Sequence, residues 1–452
     1  HNLTTRVVGQ FFDSDGVNIH YTVEGKGDPV ILVHGFAANA DANWRAPGIT
    51  QELAKGFQVI VLDNRGHGLS GKPHDQSKYG VEMCKDIVRL MDHLKIPKAH
   101  VVGYSMGSFI TLKLTTLYPE RLLSSAPCGA GWVLPGDPDD RREEIASSLE
   151  TNGDFTPLFR AISPPGKLPG RRGLFSVNYI LNKTNDVKAL ACVMRGLGDI
   201  TVTEDALRSC DVVIPLAAVV GAPACDRDPV TAETVNLGAI RTLNKLRSRQ
   251  QAVVFPTTNS GYGTKSTTTV CTEETPLEPI SLYGQTKVEA EAELLDTGDA
   301  VSLRLATVFG VSPRMRTDLL INHFVWEAVT KGYLVIFEKD FKRNYVHVRD
   351  VADCFVFCVE NFDRVRNNAY NCGLGEANYS KADLAKLIQA EVPALYVNFA
   401  EVGSDPDKRN YVVSNAKLRR AGFEARRSVP SGIRELAMCY RLFTAAGPYA
   451  NY

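Results

Sequence analysis

The chain has 452 residues, 44% apolar and 23% charged, enough to bury a large core in two domains or in one oversized sheet with insertions. Lys and Arg together number 51, as do Asp and Glu, so no net field draws nucleic acid or an anionic membrane to the molecule as a whole. No apolar run reaches the ~18 residues of a membrane span, and no charged-then-apolar leader precedes Gly9. The expectation is a protein that neither spans nor binds a membrane and carries no signal.

The ten cysteines are scattered without a Cys-x-x-Cys pair. Cys354 and Cys358 stand one helical turn apart, a spacing that belongs to a core more often than to a metal. A reducing cytoplasm and no metal site are expected.

Residues 6 to 24 alternate apolar and polar around Asp13-Ser-Asp-Gly16, which reads as a hairpin leading into the short apolar strand Val30-Ile-Leu-Val33. Phe57 to Leu62 is a second such strand. Met83, Ile87, Leu90, Met91 and Leu94 follow helical spacing, and His100-Val-Val-Gly103 is a third strand. Strands alternating with helices imply an α/β fold with a doubly wound, mostly parallel sheet. Between Trp132 and about Lys188 the rhythm breaks into Pro, Gly and charge, as in an inserted cap. From Asp211 the rhythm returns. Asp211 to Gly221 has a buried-strand pattern, followed by a helix to about Leu246, the strand Ala252 to Phe255, a helix after Tyr283, and the strand Val301 to Ala306. The expected parts are a core over 1–132, a cap-like insertion and junction over 133–209, and a second α/β part over 210–452. No Gly/Ser-rich or Pro-rich linker stands immediately before Asp211, so one extended sheet, or two sheets meeting there, is expected.

Gly103-Tyr-Ser-Met-Gly107 follows a strand and opens a helix, the context in which Gly-x-Ser-x-Gly forces a strained turn and exposes the Ser105 hydroxyl above a sheet. His34-Gly35 follows an earlier strand, placing the backbone N–H near Phe36 to join that of Met106 as an oxyanion hole. Asp63-Asn-Arg-Gly-His-Gly-Leu-Ser70 follows the next strand. Over residues ~8 to ~208, including the cap and a Thr201-Val-Thr-Glu-Asp-Ala-Leu207 segment, the chain resembles the α/β-hydrolase family. The resemblance implies a Ser, Asp/Glu, His triad in that order, because an alcohol is a weak nucleophile until an oriented imidazole takes its proton. Here only His323 and His347 follow Ser105. His34 and His67 read as loop residues, and Asp226 or Asp228 is the candidate acid.

Tyr283-Gly-Gln-Thr-Lys287 puts Tyr and Lys on one helix face, where an ammonium favours phenolate over a phenol of pKa ~10. Thr257-Thr-Asn-Ser-Gly-Tyr-Gly263 ends a strand ahead of it. With Pro215-Leu-Ala-Ala218, Asn236, Arg304-Leu-Ala-Thr-Val-Phe-Gly310, Arg343-Asn-Tyr-Val-His-Val-Arg-Asp350 and Tyr370-Asn-Cys-Gly373, these motifs resemble the extended short-chain dehydrogenase and nucleotide-sugar epimerase family over ~210 to ~440. The resemblance implies Thr258, Tyr283 and Lys287 as the catalytic trio, Leu216, Ala217, Ala218 and Asn236 at a nicotinamide cofactor, and Arg343 at the substrate. Asn259 and Ser260 replace the Asp-Glu of dehydratases. The family's glycine-rich turn for the NAD pyrophosphate is missing before Asp211, so NAD binding is expected to be weak or absent.

The favoured reading is a hydrolase-epimerase fusion by ancestry with both active sites incomplete, meeting small-molecule esters or sugar nucleotides. The alternatives are a serine esterase served by His323 or His347, a sugar-nucleotide enzyme with a makeshift NAD site, and a non-catalytic scaffold.

Overall fold

The computed structural model describes residues 8–129, 140–163, 168–202, 210–248, 250–265, 269–312, 315–375, 377–401 and 409–445. They fall into two compact units that divide between positions 209 and 210.

In unit 1, Asp15 and Gly16 take φ of 56° and 78°, the two left-handed positions of a tight hairpin turn. That turn sets strand β1 (Gln10–Ser14) against β2 (Val17–Glu24), as the sequence pattern predicts. Strands β3 (Asp28–Val33), β4 (Phe57–Leu62), β5 (Ala99–Tyr104) and β6 (Leu122–Cys128) complete a six-stranded sheet of order β1-β2-β4-β3-β5-β6, parallel from β4 onward. Val30 to Val33 and Val59 to Leu62 are buried, the signature of strands covered on both faces. After the short α1 (Ile49–Leu53), α2 (Val81–His93) turns Met83, Cys84, Ile87, Leu90 and Met91 into the core, and α3 (Met106–Leu117) adds Ile110 and Leu114.

Four further helices follow β6: α4 (Arg142–Asn152), α5 (Thr156–Ile162), α6 (Arg171–Thr184) and α7 (Val187–Gly196). Ile145, Ala146 and Leu149 of α4 and Leu190, Ala191, Val193 and Met194 of α7 join the same core as the sheet. Within the expected insertion 133–209, residues 133–139, 164–167 and 203–209 lie outside the described residues.

Unit 2 contains strands β7 (Val212–Val213), β8 (Ala252–Thr258), β9 (Val270–Cys271), β10 (Ala300–Leu305), β11 (Thr307–Phe309), β12 (Tyr333–Ile336), β13 (Lys342–His347) and β14 (Asn368–Cys372). Its main sheet is parallel, in the order β14-β10-β8-β7. Helices α8 (Ala222–Arg227), α9 (Pro229–Glu233), α10 (Ala239–Leu246), α11 (Leu282–Thr297), α12 (Leu320–Thr330) and α13 (Val348–Glu360) surround the smaller and larger sheets. Cys354 and Cys358 of α13 are buried with Cys372 in an apolar cluster, and among the described residues no group of ligands suits a metal.

One expectation fails here. The stretch Asp211 to Gly221 is a strand only at Val212 and Val213, and Leu216 is 66% exposed. The physical reason is its place at the end of the sheet: β7 pairs with β8 alone, and Pro215 has no N–H with which to continue a ladder. Of the two arrangements expected, the described strands form separate sheets, with β6 at the edge of the one in unit 1 and β7 at the edge of the main one in unit 2.

Candidate functional site

Ser105 sits between β5 and α3 with φ 53° and ψ −115°, a conformation that costs a non-glycine residue roughly 1–3 kcal/mol and persists only when its surroundings impose it. The flanking glycines impose it. A Cβ on Gly103 would lie 2.0 Å from the Gly107 carbonyl oxygen, and one on Gly107 would lie 2.1 Å from the Val33 oxygen. Chain therefore meets chain at van der Waals distance, and the turn can close only without side chains there. Gly35 packs against the same serine, its missing Cβ position 3.2 Å from Ser105 Cβ. Its N–H donates to Asn43 Oδ1 at 2.8 Å, which fixes the loop that carries Phe36. Among the described residues, nothing accepts from the N–H of Phe36 or Met106. Two donors beside a half-buried hydroxyl are the makings of an oxyanion site.

The base is a different matter. Among the described residues, Ser105 Oγ has no hydrogen-bond partner. His34 is fully buried with Nδ1 on the Gly35 carbonyl at 2.8 Å and Nε2 accepting from the Asn64 N–H at 2.9 Å, and burial lowers its pKa. His67 is equally buried and pushed down to about 3, by burial first and by its neighbour His34 second. Both stay neutral and hold loops. In unit 2, His347 Nε2 meets Glu435 at 3.0 Å while Nδ1 accepts from the Arg349 N–H at 3.2 Å, so both nitrogens are engaged. His323 is exposed on α12. Of the candidate acids, Asp228 caps α9 by accepting from the Thr231 N–H at 3.1 Å, and Asp226 is exposed.

In unit 2, Thr258 ends β8 and Tyr283 stands in the first turn of α11, near enough for the Thr258 side chain to lower the phenol's pKa slightly. Thr258 Oγ1 also meets Ser260 Oγ at 2.9 Å, and Ser260 Oγ accepts from Arg409. Burial pushes the Tyr283 phenol up to about 12; the cations Arg409 and Arg316 pull the other way. Lys287, one turn further along the same helix, is 3% exposed. Its Nζ lies 3.9 Å from the Phe255 ring centroid, and burial lowers its pKa to about 7 with Glu291 opposing. A four-carbon stem anchored at i+4 reaches whichever neighbour the packing offers, and here that is an aromatic face. Arg316 and Arg409 carried no sequence signal, since Arg409 stands 149 positions from the serine it contacts.

The lysine has a measurable consequence. Between pH ~7 and ~10.5 the unfolded chain holds a proton that folded Lys287 does not, so its contribution to stability rises with pH through that window and is least favourable below pH 7. Lys287→Met is expected to raise the urea midpoint of unit 2, followed at Trp326, near pH 7. The gain should be on the order of 3–6 kcal/mol, less whatever the Phe255 ring returns to the cation, and should vanish by pH ~10.5. A gain independent of pH would show that the ammonium is solvated.

The remaining expected contacts are uneven. Asn236 is buried, but its amide accepts from the Val219 N–H at 2.8 Å and donates to the Val219 carbonyl at 3.0 Å, so it shapes the loop after β7. Leu216 and Ala217 are exposed and Ala218 is half-buried. Arg343 is buried on β13. Between β7 and α8 stand Ile214-Pro-Leu-Ala-Ala-Val-Val220 and then a single glycine, Gly221. This opening does not fit a dinucleotide: no run of glycines lets backbone N–H groups approach two phosphates at a helix start.

Comparison with known proteins assigns both halves. Residues 28–149 match the alpha/beta hydrolase fold family, and residues 180–373 match the NAD dependent epimerase/dehydratase family. The segment Thr201 to Leu207, grouped with the hydrolase part on its sequence, therefore falls within the epimerase match. Bifunctional epoxide hydrolase 2 of Mus musculus is 32% identical over 137 residues, 30% of this chain and 24% of that protein. The dihydrolipoyllysine-residue acetyltransferase component of the acetoin cleaving system of Cupriavidus necator is 37% identical over 126 residues, 27% of this chain and 33% of that protein. The chain thus spans a quarter to a third of these curated relatives. Among solved structures, MoeE5 in complex with UDP-glucose and NAD is 25% identical, covering 53% of this chain and 82% of its own, with a TM-score of 0.46. With a nucleophile-elbow turn in one unit and a Thr-Tyr hydroxyl pair beside a parallel sheet in the other, the chain is a fusion of the α/β-hydrolase and NAD-dependent epimerase/dehydratase families.

Proposed function

We propose that neither half of this fusion completes its ancestral reaction, and that the chain acts as a small-molecule binder with residual ester-polarising capacity. The carrying observation is the Ser105 hydroxyl, strained into position beside two free N–H groups yet without an imidazole among the described residues. The donors at Phe36 and Met106 suit the developing charge of an ester carbonyl, but Ser105 attacks usefully only if a base takes its proton. In unit 2, the hydroxyls of Thr258 and Tyr283 suit a sugar hydroxyl. A phenol held near 12 is a reluctant base at neutral pH, and hydride chemistry belongs to a cofactor for which the opening of the sheet offers no phosphate cradle. Unit 2 is accordingly read as a weak sugar-nucleotide site, and the cytoplasm as the compartment.

The test is turnover of an activated ester by the parent chain and by Ser105→Ala. Oxyanion stabilisation and binding alone sustain roughly 10³ to 10⁴-fold acceleration over water. The parent should stay within that range, and the substitution should leave its rate within about tenfold, because water rather than Ser105 is the nucleophile. A large Ser105-dependent rate would reveal a base and overturn the proposal.

A further inference from the structure

We propose that the outer face of α6 in unit 1 is a docking surface for an anionic lipid bilayer. The helix has 14 residues, and none of its side chains is buried. Phe175 is 74% exposed, Tyr179 60% and Ile180 57%, three large apolar groups on one short helix that no described residue covers. Apolar side chains scattered singly over a surface need no explanation, but a cluster of this kind marks an interaction site.

The charges around it say what the occupant is. The whole chain is balanced, yet from Phe155 to Asn185 the sequence contains no Asp or Glu while carrying Arg160, Lys167, Arg171, Arg172 and Lys183. The carboxylates that flank this run are already committed. Asp154 accepts from Thr156 and Asn178, and Asp186 caps α7 at the Ala189 N–H and meets His74 at 2.9 Å. No ion pair to Arg160, Arg171, Arg172 or Lys183 forms among the described residues. At 100° per residue, Phe175, Tyr179, Arg172 and Lys183 fall within roughly 80° of one another, with Arg171 beside Phe175. The opposite face packs through Leu181 against the core, and Asn178, at the edge beside Arg171, accepts from the Phe155 N–H at 2.7 Å.

Basic and aromatic groups interleaved on one face are what an interface between water and acyl chains selects. Rings enter the headgroup boundary while the cations reach back to lipid phosphates and carboxylates. A helix of 14 residues is ~21 Å long, short of the ~30 Å hydrocarbon core, so it would lie along the surface. In agreement with that, no helix among the described residues is long and apolar enough to cross a membrane.

The experiment is co-sedimentation of the full chain with phosphatidylcholine vesicles containing either 30 mol% phosphatidylserine or none, at low and high salt. Partition onto the anionic vesicles alone, weakening with salt, is expected. Substituting Gln for Arg171, Arg172 and Lys183 should reduce it on the order of 100-fold, at about fivefold per basic residue near a charged surface. Phe175→Ser with Tyr179→Ser should abolish it at unchanged circular dichroism, since both side chains are exposed and their loss leaves the fold intact. Three outcomes would overturn the proposal: no binding beyond that to neutral vesicles, binding insensitive to both sets of substitutions, or vesicle-independent self-association lost in the Phe175/Tyr179 variant, which would make a second copy the occupant.

Discussion

Arg65→Ala is expected to destabilise unit 1 by about 3–5 kcal/mol, a large part of the stability of an ordinary domain. The guanidinium is 1% exposed and spends its donors on three elements at once. Nε and Nη2 meet the Asp86 carboxylate of α2 at 2.7 and 2.5 Å, Nη1 donates to the Lys78 carbonyl at 2.5 Å, and Nη2 also reaches the Ser14 carbonyl of β1 at 3.4 Å. Ser14 at the end of β1 donates to the same carboxylate at 2.5 Å. Burial raises the Asp86 pKa and Arg65 opposes the rise, so removing the cation strands a buried carboxyl and at least one carbonyl. The paired substitution Arg65→Met with Asp86→Leu should cost much less, because the penalty of a broken buried pair is mainly that of the charge left behind. Hydrogen exchange of the α2 amides reads the effect in unit 1 alone. A loss below ~1 kcal/mol in the single variant would mean that water reaches the pair.

Calorimetric titration with NAD or NADH is expected to show no saturation at micromolar ligand, with half-saturation above about 1 mM, a binding free energy no better than roughly −4 kcal/mol. Much of a dinucleotide's affinity lies in its pyrophosphate, which needs N–H groups approached closely through glycine. The loop after β7 presents Pro215, Leu216, Ala217 and Ala218 instead, and Asn236 is already spent on both backbone groups of Val219. The turn at Ser105 also opens a helix, but it is arranged to project a hydroxyl. A stoichiometric micromolar complex would show that a phosphate cradle exists, and would restore unit 2 as a redox enzyme.

The local motifs were legible in the sequence because each constrains its own backbone. Glycines at 103 and 107 around Ser105 leave one way for strand to meet helix, Asp15-Gly16 leaves one way to close a hairpin, and the spacing of Met83, Ile87 and Leu90 leaves one face of α2 to bury. The spacing from Thr258 to Tyr283 likewise delivered two hydroxyls to one point, since a strand end and a helix start are both rigid. What the tertiary structure alone decided is who stands beside whom. An apolar run such as Asp211 to Gly221 reads much the same in the middle of a sheet as at its edge, and its edge place among the described strands, together with Pro215, reduced it to two residues. Lys287 has the spacing of a partner for Tyr283, and what packing alone decided is its surroundings, the ring of Phe255 and a burial that lowers its pKa to about 7. Arg409 reaches Ser260, and Asn43 holds Gly35, across separations that no periodicity reports. Sequence determines backbone geometry wherever sterics are local; contacts made by long polar side chains follow the packing of the whole unit.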